Sequence, residues 1–395
     1  MAQESDQEEH APRPTPPSSV AAHRFPEGSG SAVVLSGSIG RGHDSVAEVC
    51  GAALRAGGIT ARTLDCMALL GSVGARAGTA LFRRMLSIPT VYDGFHFSHL
   101  RTGTWLPRAM TEASSRRMLP ALLEEVGPFD GPTLLLPVFS TGVAVAARLK
   151  AERREVTAVT VCTDACAHRM WVREGIDLYV VCSALAAATV RRYDPGAAIA
   201  TLPPPVRPAF FAPPDRSVAR RSLEVPLGAP CVVVMAGGWG LAPLAGTVRA
   251  LARAGYWVLA VAGGNVRLHE RLMALSATFP QVRAFGMTDR VPELMAAADT
   301  VVTSPGQTCH EARVVGRRLV VLDVVPGHGR ENTIHELENG GALACSPDPA
   351  SVLGVVQATF ADQPEPEPWP LSSAGEWDKL FLAALSEVGV PVSSA

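Results

Sequence analysis

Lysine is nearly missing from this chain: only Lys150 and Lys379 occur among 35 basic residues, and the other 33 are arginines. That skew fits a GC-rich bacterial genome and carries no mechanistic information. Charge is sparse, at 18% of 395 residues, with 35 basic against 37 acidic side chains and a net charge of −2. Such a balance excludes a duplex-DNA binder working by bulk basicity, because neutralising phosphates needs an excess of cations. Long apolar runs are also lacking. The uncharged run 131–147 is 17 residues broken by Pro132, Pro137 and Gly142, short of the roughly 20 that cross a bilayer, and the longer uncharged run 225–248 is broken by Pro226, Pro230, Pro243 and the Gly turn 237–240. No basic and apolar leader precedes the first strand, so no signal peptide is expected. The eight cysteines, at 50, 66, 162, 166, 182, 231, 309 and 345, are scattered through apolar segments, which excludes a clustered disulfide framework and implies reduced thiols in the cytoplasm. Cys162 and Cys166 stand four apart near His168, but no second ligand pair follows, so no metal site is expected.

What is present is a repeated grammar. Residues 1–30 hold five prolines and five acidic residues without apolar periodicity and read as a disordered tail. Then comes an apolar strand, 32–36, a Gly-rich turn, 37–42, and a helix from His43 to Ala56. The same order recurs with strand 231–236, turn 237–240 and helix 241–254, where Leu244, Val248 and Leu251 share one face. Short apolar runs at 133–137, 156–162, 177–182, 257–262, 281–285, 299–303 and 318–323 alternate with amphipathic stretches. This is the pattern of parallel βαβ units. The expected fold is α/β, with two Rossmann-like doubly wound domains at 31–203 and 223–362. Between them, 204–222 forms a linker stiffened by the prolines of 202–208. The segment 363–395, proline-rich and then helical from Glu376 to Val388, is expected to pack back on the first domain.

A Gly-rich turn between strand and helix lets backbone N–H groups approach a phosphate, which the helix N-terminus also favours. Each turn alone also fits a plain tight turn. Gly37 to Gly42, with Asp65 ending the next strand, imitates a nicotinamide-dinucleotide fingerprint. The second half weakens that reading, because it has its own Gly turn and a further one, Ser304-Pro-Gly-Gln-Thr308. Three turns around one cleft suggest a diphosphate ligand. Glu311, just inside the helix opened by the third turn, can reach a ribose diol or simply complement the helix dipole. The polar loop Pro326 to Asn332 follows another strand, at the edge where ligands sit in open α/β sheets.

On these segments the chain resembles the glycosyltransferases that include the diacylglycerol galactosyl- and glucosyltransferases and, more distantly, the lipid II-forming N-acetylglucosaminyltransferase. The matching segments are Ser36-Gly-Ser-Ile-Gly-Arg-Gly-His43, Thr163-Asp-Ala-Cys-Ala-His168 with Trp171, Pro205-Val-Arg-Pro-Ala-Phe210, and Ser304 to Glu311 continuing through Pro326-Gly to Asn332. The resemblance implies a GT-B architecture and an inverting, metal-independent transfer in the cleft, with no cofactor beyond a nucleoside diphosphate sugar. No Asp-x-Asp metal motif occurs. It places the diphosphate near Gly40, Gly42, Gly238, Trp239, Ser304, Gly306, Gln307 and Thr308, the ribose on Glu311, and a uracil base at Phe285 and Gly286. His43 and Asp164 are the candidates for the general base, an imidazole being suited to that work at neutral pH. His168 could line the acceptor site or only pack its loop.

Two departures qualify the likeness. Where the family carries Gln-Glu or Glu-Glu after Pro-Gly, to contact sugar hydroxyls, this chain has His328-Gly329, and Arg330 is added before Asn332, so the donor sugar stays open. On the acceptor side, seven arginines between Arg76 and Arg117 face Asp93 and Glu112, a formal +5, interleaved with apolar residues. That pattern fits peripheral contact with an anionic membrane or an ordinary solvated helix face. Tyr92, Phe95 and His96, with Phe97 and His99, could instead line a pocket for a small-molecule acceptor of an antibiotic pathway. Expected partners are therefore a UDP-sugar and a lipid or natural-product acceptor, with no nucleic acid. A UDP-sugar 2-epimerase of the same fold and a non-catalytic nucleotide-sugar binder are the alternatives.

Overall fold

The computed structural model describes residues 30–38, 40–86, 88–126, 133–153, 155–235, 237, 244–361, 366 and 368–392. The tail up to residue 29 and the candidate residues Gly238 and Trp239 lie outside the described residues.

Two six-stranded parallel sheets form the molecule, as the alternation of apolar runs and amphipathic helices requires. The first contains β1 (Ser31–Ser36), β2 (Thr60–Asp65), β3 (Thr133–Pro137), β4 (Val156–Cys162), β5 (Leu178–Val181) and β6 (Ile199–Thr201), in the order β2-β1-β3-β4-β5-β6. The second contains β7 (Cys231–Met235), β8 (Trp257–Val261), β9 (Val282–Phe285), β10 (Thr300–Thr303), β11 (Arg318–Leu322) and β12 (Ala342–Cys345), in the order β12-β11-β10-β7-β8-β9. Central strands such as Thr133–Pro137 and Cys231–Met235 are buried along their whole length, which a parallel sheet covered by helices on both faces demands. Strand order reverses between β1 and β3, and again between β7 and β10. At such a reversal neighbouring connections leave to opposite faces and open a crevice at the carboxyl edge. The turns after β1 and β10, and Gly237 after β7, lie at these crevices.

The helix Gly42–Ala56 buries Val46, Val49, Cys50, Ala53 and Leu54 on one face, the spacing of an amphipathic helix on a sheet. A late helix, Ala374–Glu387, covers the same core with Trp377, Phe381, Leu382 and Leu385. The Trp377 indole stacks on Phe381 with centroids 4.8 Å apart and donates to the Pro203 carbonyl at 2.8 Å. Its start is fixed by Ser373, which accepts from Glu376 N, while the Glu376 carboxylate accepts from Ser372 N at 2.8 Å. Between β2 and β3 the chain makes the helices Gly71–Leu86, Pro89–Phe95 and Trp105–Val126, with a π-helical turn at His96–Leu100.

Candidate active site

The carboxyl edges of the two sheets face one cavity of about 520 Å³. Its wall includes Gly40, Gly42, His43, Asp164 and His168 from the first sheet's loops, and Gly286, Ser304, Gly306, Gln307, Thr308, Glu311 and His328 from the second's. Tyr92 and Phe95 also line it. Segments far apart in the chain thus meet in one chamber.

His43 enters at the start of the helix Gly42–Ala56. Its Nδ1 lies 2.9 Å from the Val138 carbonyl, and its ring meets Phe139 edge-on, centroids 4.9 Å apart. A carbonyl only accepts, so Nδ1 carries the proton and Nε2 keeps a bare lone pair. Burial lowers the His43 pKa, and the nearby Asp164 charge opposes that shift without cancelling it. The imidazole is thereby kept neutral, with the Nε2 lone pair open to accept a proton.

Asp164 stands at the start of the loop after β4 and is buried. Its Oδ2 accepts from the Trp171 indole at 2.7 Å, with His168 Nε2 at 3.4 Å. Burial alone would raise this carboxyl. His328, His168, the Trp171 hydrogen bond and His43 together outweigh it and hold the group below the ordinary aspartate range. His168 Nδ1 accepts from Met170 N at 3.3 Å, which leaves its proton on the nitrogen facing Asp164. Burial pushes the His168 pKa down to about 4 despite that carboxylate. His168 therefore serves here as a neutral strut for Asp164, although it also lines the chamber.

On the second sheet's side, the helix Gln307–Val314 begins at Gly306, whose φ of +142° is a backbone region that side chains rarely adopt. Its first residues, Gly306, Gln307 and Thr308, line the cavity, and a helix N-terminus favours anions. Glu311 is buried one turn further in, and Arg207 Nη2 lies 3.2 Å from its Oε1. Burial raises the Glu311 pKa to about 7, with Arg207 pulling the other way. Sequence reasoning passed over Arg207, which is hidden among the prolines of the linker. It lines the cavity, rests over the Phe210 ring at 5.1 Å, and has a buried Nε without a hydrogen-bond partner.

Other candidates are engaged elsewhere. Phe285 packs against the second sheet's core and is not part of the cavity wall, whereas Gly286 is. Asn332 Oδ1 accepts from Ala165 N at 3.0 Å. Arg330 pairs with Asp93 at 3.2 Å, and His96 pairs with Glu331 at 2.8 Å. Tyr92 Oη is 3.0 Å from His328 Nδ1. Tyr92 and His96, expected on the acceptor, therefore meet the loop expected on the donor. Asp65, the acid of the dinucleotide imitation, accepts through Oδ1 from Ser38 N at 3.1 Å and Met67 N at 2.9 Å. It caps a helix and ties down the first Gly turn. The apolar part of the wall, Met67, Leu70, Met85, Leu100, Met110 and Met170, had no individual sequence signal.

Residues 43–193, which carry His43, Asp164 and His168, match the family model of monogalactosyldiacylglycerol (MGDG) synthase. A probable chloroplastic MGDG synthase of Nicotiana tabacum is 33% identical over 155 residues, 36% of this chain and 29% of the relative. A processive diacylglycerol β-glucosyltransferase of Bacillus pumilus is 29% identical over 234 residues, 56% of this chain and 58% of the relative. The chain thus matches from 29% to 58% of the length of these curated relatives. Among solved structures, the UDP-GlcNAc 2-epimerase of Methanocaldococcus jannaschii is similar with a TM-score of 0.55 at 11% identity, over 90% of this chain and 99% of that one. At that identity the likeness speaks for the fold alone. Two Rossmann-like sheets around a shared cleft give this chain a GT-B architecture, and its segment 43–193 is similar to the MGDG synthase family.

Proposed function

We propose that this protein is a glycosyltransferase that moves a sugar from a nucleoside diphosphate sugar, with UDP as the nucleotide, to the hydroxyl of a diacylglycerol-type lipid, with inversion and without a metal. The observation that carries the reading is His43, whose Nδ1 is fixed on the Val138 carbonyl so that Nε2 is the basic atom of a cavity built half from each sheet. The relatives' names, a galactolipid synthase and a diacylglycerol glucosyltransferase, favour a lipid acceptor.

The chemistry is a single displacement. The acceptor hydroxyl attacks the anomeric carbon, its proton passes to His43 Nε2, and the bond to the diphosphate breaks on the opposite face. Asp164 is less suited to take the proton, because its Oδ2 already accepts from Trp171 and its pKa is held low. It stabilises the imidazolium through space. The leaving diphosphate is met by the N-terminus of the helix Gln307–Val314 and by the Arg207 guanidinium, fixed charges that do the electrostatic work a cation does elsewhere. Glu311 hydrogen-bonds the ribose. The methionine-rich wall supplies adaptable apolar surface for acyl chains.

The same elements make the membrane-facing side. Ile88, Val91, Phe97, Trp105 and Met110 are exposed, Trp105 at 75%, and Arg84, Arg108 and Arg116 are exposed nearby in sequence. No helix among the described residues is long and apolar enough to cross a membrane, and the contact in this proposal is a peripheral one through these side chains. The test is turnover of a UDP-sugar panel on diacylglycerol vesicles in EDTA, with UDP release expected only when acceptor is present. An epimerised sugar formed without acceptor would assign the epimerase reaction instead. Transfer to soluble aglycones but not to lipid would move the acceptor class to natural products, and no thermal stabilisation by millimolar UDP would overturn the donor.

A further inference from the structure

The loop 326–332 and the helix His328–Glu338 belong to the second sheet by chain order, yet their side chains are gripped by the first half of the molecule. Glu331 is the centre of that grip. Its Oε2 accepts from His96 Nε2 at 2.8 Å and its Oε1 from Arg101 Nε at 2.6 Å. Gly327 N donates to Asp93 Oδ1 at 2.7 Å, and a side chain at Gly327 would run into the Tyr92 ring, 2.5 Å away. Arg101 is braced from behind, its carbonyl accepting from Tyr193 Oη at 2.6 Å.

His96 is wholly buried and its Nδ1 has no hydrogen-bond partner. Burial would raise the Glu331 carboxyl, but the His96 hydrogen bond and the Arg101 charge keep it below the ordinary range, so it stays an anion. An ionised carboxylate only accepts, so His96 Nε2 holds the proton. The clamp is an imidazole N–H and a guanidinium from one domain closing on a carboxylate from the other.

We propose that Glu331 is a positioning residue that holds the cleft closed before any ligand arrives and sets His328 at the cavity wall. The grip reaches the phosphate-facing helix as well. Arg313 Nε on the helix Gln307–Val314 is 2.7 Å from Glu336 Oε2 on Glu331's own helix, both side chains buried. Whatever moves Glu331 carries the phosphate-facing N-terminus with it. Tyr92 and Leu100 of the gripping segment line the cavity, so acceptor wall and donor loop are one mechanical unit. Removing the carboxylate leaves the Arg101 guanidinium without its counter-charge, in a place where Nη1 already lacks a partner. A buried charge stripped of its partner is strongly unfavourable. Since the partners sit on different domains, the relief is to part the domains and hydrate the cation.

The part of this inference that concerns ligand exchange rests on the proposed donor site; the part that concerns closure does not. Small-angle scattering of the ligand-free full chain should give a larger radius of gyration for Glu331→Ala than for wild type, with Glu331→Gln between them. Glu338→Ala, exposed on the same helix, should match wild type. In stopped-flow with UDP, Glu331→Ala should release nucleotide about tenfold faster or more, the scale expected when a buried ion pair is broken. Unchanged scattering in Glu331→Ala would overturn the clamp. Opened scattering without UDP binding by wild type would keep the clamp and overturn the donor assignment. A Glu331→Ala chain that lost its cooperative melt would make Glu331 part of the fold's stability and also overturn the proposal.

Discussion

Substituting His43 by alanine should lower turnover about 10²- to 10⁴-fold, the usual worth of a general base, while UDP still raises the melting temperature. A parallel loss of UDP stabilisation would reduce the residue to a structural one. Glu311 makes a different prediction. Its pKa rises from 4.5 to about 7 on folding, so between those values the folded chain binds more protons than the unfolded one and stability falls as pH rises. The cost at pH 8 is roughly 3 kcal/mol. Urea midpoints of wild type and Glu311→Gln, compared from pH 4 to 8, should show the wild type losing ground through that window. The variant should gain stability and lose ribose binding. His43, Asp164 and Glu311 could be named from sequence because each stands beside a glycine turn or at the end of an apolar run. Arg207 and Glu331 could not, since each acquires its meaning only from a partner more than a hundred residues away.

The helix beginning at His43 depends on a neighbour that arrives late in the chain. Trp377→Ala should cost about 3–5 kcal/mol of stability, read from urea unfolding, because the indole fills the layer over Val46, Val49 and Ala53 and also binds Pro203. Gly306→Ala should weaken nucleotide binding with little effect on overall stability, since nothing lies within 4 Å of the added carbon but φ of +142° resists a side chain. Central strands such as 133–137 and 156–162 could be read to the residue, being continuous apolar runs between turn signals. The edge strands Ile199–Thr201 and Ala342–Cys345 were harder, because an edge is half exposed and needs few apolar residues. The helices between β2 and β3 showed only as a basic, apolar mixture. Their packing is decided by the acceptor wall and the opposite domain, which local periodicity does not encode.

At the scale of the whole molecule, near-neutrality conceals an arginine-rich segment, 76–117, that contains the exposed Trp105. Vesicles carrying anionic lipid should sediment the protein, with binding that weakens as salt rises and the Debye length shortens. Trp105→Ala should reduce binding at every salt concentration. Failure of neutral and anionic vesicles alike to sediment the protein would leave that segment solvated. The late helix Ala374–Glu387 bears on how the molecule is made. It covers the outer side of the helix that carries His43, and its Trp377 is tied to the linker at Pro203. During synthesis the first sheet therefore emerges with that apolar face bare, and the second sheet must be threaded before the cover exists. The helix that begins beside His43 is sealed only once Ala374–Glu387 has been made. A nascent chain halted anywhere short of this helix should be both inactive and a chaperone client, its first half folded in outline but unsealed.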